Sequence, residues 1–269
     1  MTHDTRAPAE RWDVIVLAGD RGANDPVARA TGAGCKAMAP IAGKPLLARV
    51  LDTITEAPGL DTCHVVGPRA DIVAANPTLA SLIGESGARW HSPADSPVAS
   101  AMTALADIDS DRRVLITTAD HALLTPRMID AMCQTRDDVD LTVGLIERAR
   151  VSSAYPASQR TAIRLGGRGY CGCNLFALHS ARGRDLVAAW RRVEDERKHP
   201  ARVVSGMLGW GALIRYALRR LTLEQAFNQL SRRSGVRVAP SLLTTPEAAI
   251  DVDSVADLRQ VEAILNGRG

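Results

Sequence analysis

Residues 13–47, DVIVLAGDRGANDPVARATGAGCKAMAPIAGKPLL, restrict the possible folds of this chain more than any other stretch. They open on Val14-Ile15-Val16-Leu17, an apolar run of the right length for a buried parallel strand. At Ala18-Gly19 the run breaks into a loop that holds Gly19, Gly22, Gly32 and Gly34, with positive charge at Arg21, Arg29 and Lys36. Glycines let backbone N–H groups converge on an anion without a side chain in the way. After Gly43-Lys44-Pro45 a helix is expected, because Leu46, Leu47, Val50, Leu51 and Ile54 fall on one face. Strand, basic glycine loop and helix is a phosphate-binding layout. A glycine-rich connection without a ligand would read the same way, and the loop matches neither GxxxxGK[ST] nor GxGxxG.

The same pattern of a strand with chemistry at its end recurs further on. Residues 113–118, RVLITT, read as a buried strand ending in Ala119-Asp120-His121. An acidic residue at the C-terminal end of a central parallel strand sits where open α/β sheets bind ligands. Thr125-Pro126 then reads as a helix cap followed by Pro at the first helical position. Ser96-Pro97 is a similar start, for a helix to about residue 107. Residues 161–165 and 170–178, joined by Gly166-Gly167-Arg168-Gly169, read as a hairpin. Asn174 lies inside its apolar second strand, where it needs a polar partner, either substrate or backbone. Near the end, Ala249-Ile250-Asp251-Val252-Asp253 reads as an extended segment, with Asp251 and Asp253 on one face. Ser254 and Asp257 start a last helix.

Leu17-Ala18-Gly19, Arg21-Gly22, Lys36 and Gly43-Lys44-Pro45-Leu46, in that order, resemble the N-terminal signature of nucleotidyltransferases of the molybdenum cofactor guanylyltransferase type. The loop departs from that pattern: it runs fifteen residues from Arg21 to Lys36, so either Arg21 or Arg29 could stand for the family arginine. TTADHALLTP resembles the family's metal-binding Asp segment, with His121-Ala122 replacing its small residue and proline. Gly172-Cys173-Asn174 resembles its G-x-N strand on the acceptor side, and IDVDS resembles its closing signature. The resemblance implies one mostly parallel Rossmann-like α/β sheet with helices on both faces, of the nucleotide-diphospho-sugar transferase type. It implies Mg²⁺-dependent transfer of an NMP group from an NTP to a phosphate-bearing acceptor, with release of pyrophosphate. Residues carried over for nucleotide binding are Leu17, Ala18, Gly19, Gly22, Lys36, Ser96 and Ser100; for catalysis Lys36, Arg21 and Asp120; for the acceptor Asn174; for metal Asp120, with Asp251 or Asp253. The alternatives are a glycosyltransferase that uses a nucleotide sugar on the same fold, and a nucleotide-binding regulatory protein without activity.

The 269 residues suffice for one such domain over 12–269, behind a loose tail at 1–11. Hydrophobic content is 46% but aromatics only 3%, so the core must be aliphatic. A net charge of +3 suits anionic substrates and is too small to argue for nucleic acid. The polar N-terminus and the lack of an 18-residue apolar run point to neither a secretory leader nor a membrane span. Five scattered cysteines read as reduced thiols in a cytoplasmic protein, with Cys171 and Cys173 on one strand face. His64 reads as a packed or surface histidine.

A helical insertion is expected over about 196–233. Val203, Met207, Trp210, Ile214, Ala217 and Leu221 make one apolar stripe, and Thr222 with Gln225 makes a capping box for a second helix. Two readings stand: a hairpin packed on the sheet or on a second copy of the chain, or a basic-rimmed wall for a lipid-linked phosphate or a membrane surface.

Overall fold

The computed structural model describes residues 11–19, 24–194, 215–216 and 219–267. The N-terminal tail, Arg21, Gly22 and most of the expected insertion, Trp210 included, lie outside the described residues.

Trp12–Leu17 forms β1, and all but its last residue are buried. Strands β2 (Pro40–Ile41) and β3 (Lys44–Pro45) make a small separate ladder. The others are β4 (Leu60–Val66), β5 (Arg89–His91), β6 (Arg113–Thr118), β7 (Leu141–Glu147), β8 (Ile163–Leu165), β9 (Arg168–Leu178) and β10 (Val238–Leu242). The main sheet runs β10-β7-β9-β6-β1-β4-β5, with β8 paired to β9. β1 is parallel to both neighbours, β4 and β6, while β9 runs antiparallel between β6 and β7. The expected mostly parallel sheet is therefore present, with one strand reversed.

Alternation along β1 explains the two layers. Trp12, Val14 and Val16 join the core beneath helices Leu46–Glu56 and Pro126–Cys133. Ile15 faces the other way, toward helices Pro97–Leu105 and Ala181–Glu194. A strand apolar on both faces must be covered on both, which fixes β1 at the centre. On β9, Cys171, Cys173, Leu175 and Ala177 share the first face. Both cysteines are buried, and burial pushes the Cys173 thiol up to about 12. Arg184 staples the second layer by donating to the carbonyls of Leu105, Ile108, Asp109 and Arg112.

Local signals place most element ends. Ser96, Thr125 and Thr222 cap their helices, and Ser254 and Asp257 form a capping box. The β8–β9 hairpin turns on Gly166 and Gly167, both at positive φ, as a two-residue turn requires. Two readings change. Residues 249–253 form no paired strand: Ala249 ends a 3₁₀ turn, Pro246–Ala249, and in the segment after it Val252 N–H donates to the Asp120 carbonyl at 3.1 Å. The long first loop is itself folded, into helix Pro26–Thr31, capped by Asp25 and closed by Gly32.

Three histidines are held neutral. Burial lowers His64, His121 and His179 to about 4, and His64 is further depressed by His91, whose Nε2 lies 2.8 Å from its Nδ1. Such groups bind a proton more readily unfolded than folded. Their stability is therefore complete above pH ~6.5 and lost as the pH falls toward 4, at roughly 2 kcal/mol each. Asp251, raised to about 6, works the opposite way over pH 4–6, but it is one group against three. The melting temperature is expected to fall by roughly 10 °C between pH 7.5 and pH 5. A midpoint that holds or rises on acidification contradicts this.

Candidate active site

The C-terminal ends of β1, β4 and β6 lie side by side, and each continues into a loop tied to its neighbour. Ala18 N–H donates to the Val66 carbonyl at 2.8 Å, and Ala119 N–H to the Leu17 carbonyl at 2.9 Å. Between these loops opens a small cleft, lined by Leu17, Ala18, Gly19, Lys36, Ala37, Leu46, Ala119 and Asp120. Residues singled out at two separate places in the sequence thus share one wall.

Lys36 enters on a one-turn 3₁₀ helix, Lys36–Met38, anchored by buried Cys35, Ala37 and Ala39. Its Nζ donates to Asp120 Oδ2 at 2.5 Å and to Asp253 Oδ1 at 2.9 Å. Burial works against the ammonium, but the two carboxylates outweigh it and hold Lys36 above its ordinary value. The second carboxylate oxygen, Asp120 Oδ1, is buried without a hydrogen-bond partner. A carboxylate oxygen left so costs free energy unless something outside the chain meets it.

Asp251 and Asp253 separate here. Asp253, 58% exposed, holds Lys36. Asp251 has other partners: Asn174 Nδ2 donates to its Oδ2 at 2.8 Å, and Arg160 donates to both its carboxylate and its carbonyl. Burial first, then the charges of Asp120 and Asp253, raise Asp251 to about 6, with Arg160 opposing. Asn174 adopts φ 49°, where the β7–β9 register shifts. That left-handed step aims its amide out of the sheet, a conformation asparagine tolerates better than most residues.

Ser96 and Ser100 shape the turn before helix Pro97–Leu105. Ser96 accepts from Ala99 N–H at 3.1 Å, and Ser100 Oγ bonds both the N–H and the carbonyl of Ala94. Arg29 is exposed on helix Pro26–Thr31. His121 is buried, and burial outweighs the charge of Asp120 and then the backbone of Glu247, both of which favour its charged form. Among the described residues no group of three or more His, Cys, Asp or Glu converges as a metal cage.

Two residues of this site have no motif behind them. Arg160 bridges Asp251 to Asp257 from a loop without periodicity. Gly67, at φ 91°, packs on the first loop: a Cβ there would lie 2.8 Å from the Ala18 carbonyl oxygen. The Gly67-Pro68 pair after an apolar strand was the available signal for a turn at this end of the sheet.

The MobA-like NTP transferase domain family matches residues 14–238. No curated protein matches the chain. A solved hypothetical transferase from Thermus thermophilus is 27% identical with a TM-score of 0.74, over 92% of this chain and 99% of that one. CMP:2-keto-3-deoxy-manno-octonic acid synthetase, solved with CTP, is 14% identical with a TM-score of 0.59, over 96% of this chain and 100% of that one. A nucleotidyl transferase from Methanothermobacter thermautotroptrophicus is 15% identical with a TM-score of 0.58, over 96% and 99%. These last two are likenesses of fold.

Proposed function

Since the chain belongs to the MobA-like NTP transferase domain family, we propose that it transfers a nucleotidyl group from an NTP to a phosphate-bearing acceptor. The observation that carries this reading is the meeting of Lys36 and Asp120 beside the Ala18–Gly19 loop, at the end of the sheet where such folds bind ligands.

The reaction needs little from the protein beyond placement and charge. An acceptor phosphate oxygen, already anionic at neutral pH, attacks the α-phosphorus. The bond to the bridging α–β oxygen breaks, and pyrophosphate leaves with that electron pair. No general base is required. Loop amides around Gly19 and Gly22, with Arg21, would hold the departing phosphates. Lys36 would neutralise charge that grows on the α-phosphoryl oxygens. The turn shaped by Ser96 and Ser100 would border the base, and Asn174 would meet the acceptor, a phosphorylated small molecule or a lipid-linked phosphate.

The residues fit Mg²⁺. It takes one or two carboxylates and completes its octahedron with water and substrate phosphates. The unpartnered Asp120 Oδ1, with Asp253 or Asp251, would supply that donor set. When bound, the ion would polarise phosphoryl oxygens.

Gly67→Ala is expected to push the Ala18-Gly19 peptide out of line, because the new methyl meets backbone rather than a flexible side chain. KM for the nucleotide should rise roughly tenfold, with kcat changed less, since what is lost is ground-state binding. Steady-state kinetics at saturating acceptor checks this, and an unchanged KM would separate Gly67 from the site.

The reading as a whole is tested by incubating the protein with each NTP, Mg²⁺ and a panel of phosphorylated acceptors while pyrophosphate is assayed. Release that requires both one NTP and one acceptor is expected. A glycosyltransferase or a non-catalytic nucleotide binder would release none.

A further inference from the structure

We propose that Lys36 is the internal counter-cation of the Asp120–Asp253 pair, and that a divalent ion reaches those carboxylates only as nucleotide phosphates draw the ammonium away. The inference rests on reading the cleft as a metal-assisted nucleotide site, and it adds an order of events to that reading.

Two carboxylate oxygens from distant parts of the chain converge on one nitrogen: Asp120 Oδ2 at 2.5 Å and Asp253 Oδ1 at 2.9 Å. The Lys36 side chain is 13% exposed, so water screens the ammonium little. Mg²⁺ demands oxygens at about 2.0–2.1 Å. An ammonium in contact with both oxygens competes with the ion for them, because the two cations repel across a few ångströms, most strongly on the buried Asp120 side. Among the described residues, Arg160 is a further cation nearby, and it is committed to Asp251 and Asp257.

Lys36 lines the same cleft as Ala18 and Gly19, so rotation about its side-chain bonds carries the ammonium from the carboxylates to a phosphate bound there. The flanking residues Cys35 and Ala37 are buried and hold the turn still. Asp120 Oδ1 is buried beside the ion-paired Oδ2 and makes no hydrogen bond, so it would become useful to an ion once the ammonium has moved. Metal and nucleotide affinities are then coupled, and linkage makes the coupling reciprocal.

The test uses Mn²⁺ alone as the probe, measured by electron paramagnetic resonance on the full chain without nucleotide. Lys36→Met and Lys36→Gln, each checked by circular dichroism, should bind Mn²⁺ at least tenfold more tightly than the wild type. Asp120→Asn added to either should remove the gain. An α,β-methylene NTP analogue should tighten Mn²⁺ binding to the wild type at least tenfold, and to the Lys36 variants much less. Equal Mn²⁺ affinity in the wild type and the folded variants overturns the proposal. Should neither variant fold, wild-type Mn²⁺ affinity with bound analogue that is no tighter than that of the same analogue free in solution overturns it instead. An analogue that fails to bind the wild type at all counts against the nucleotide reading, while the nucleotide-free Mn²⁺ comparison still decides the role of Lys36.

Discussion

Asp120→Ala is expected to lower nucleotide- and acceptor-dependent pyrophosphate release by roughly a thousandfold or more, with the fold intact. The carboxylate stands at the end of β6, facing the Ala18–Gly19 loop across the cleft, and it holds Lys36 in place. Truncation would remove both the proposed metal donor and the partner that aims the ammonium. It would do little to stability. The lost Oδ1 has no hydrogen bond to break, Lys36 keeps Asp253, and Asp251 is relieved of a neighbouring negative charge. The melting temperature should therefore stay within a few degrees of wild type. Near wild-type turnover at saturating Mg²⁺ would remove Asp120 from the chemistry.

Lys36→Ala is expected to cut kcat by roughly a hundredfold or more and to raise KM for the nucleotide far less. Charge on the transferring phosphoryl group grows toward the transition state, so a cation aimed there acts mostly on the rate step. Loss confined to KM would make Lys36 a binding residue only.

The parts of the fold legible in the sequence were those set by neighbouring residues. The run Arg113–Thr118, the glycine turn after Leu165 and the caps at Ser96, Thr125, Thr222 and Ser254 each carry their signal within a few positions, and the structure has them all. Helix Pro26–Thr31 carried such a signal too, Asp25-Pro26, but the surrounding glycines and charges read as open loop. Helix Arg148–Ala154 buries one residue, Val151, so it has no periodicity to find.

The site was legible to the extent that strand ends announce it. Leu17-Ala18-Gly19 and Asp120 each follow an apolar strand, and parallel pairing of β1 with β6 brings them together. What joins them to the closing segment is long-range: Arg160 on Asp251 and Asp257, Asn174 on Asp251, Asp253 on Lys36. Such contacts depend on how three loops meet, and no local spacing encodes that. Alternation alone gave Asp251 and Asp253 no distinction; only packing gives each a different partner, Arg160 and Asn174 for Asp251 and Lys36 for Asp253.

The central claim is that a nucleotidyl group, and not a sugar or a terminal phosphate, is what moves. Parallel incubations with NTP labelled at the α- or the γ-phosphorus, each with Mg²⁺ and the acceptor that supports pyrophosphate release, test it most directly. The account predicts α-label in the acceptor product and γ-label in free pyrophosphate. γ-Label in the acceptor product, or α-label that stays in unchanged NTP while a nucleotide sugar is consumed, would contradict it.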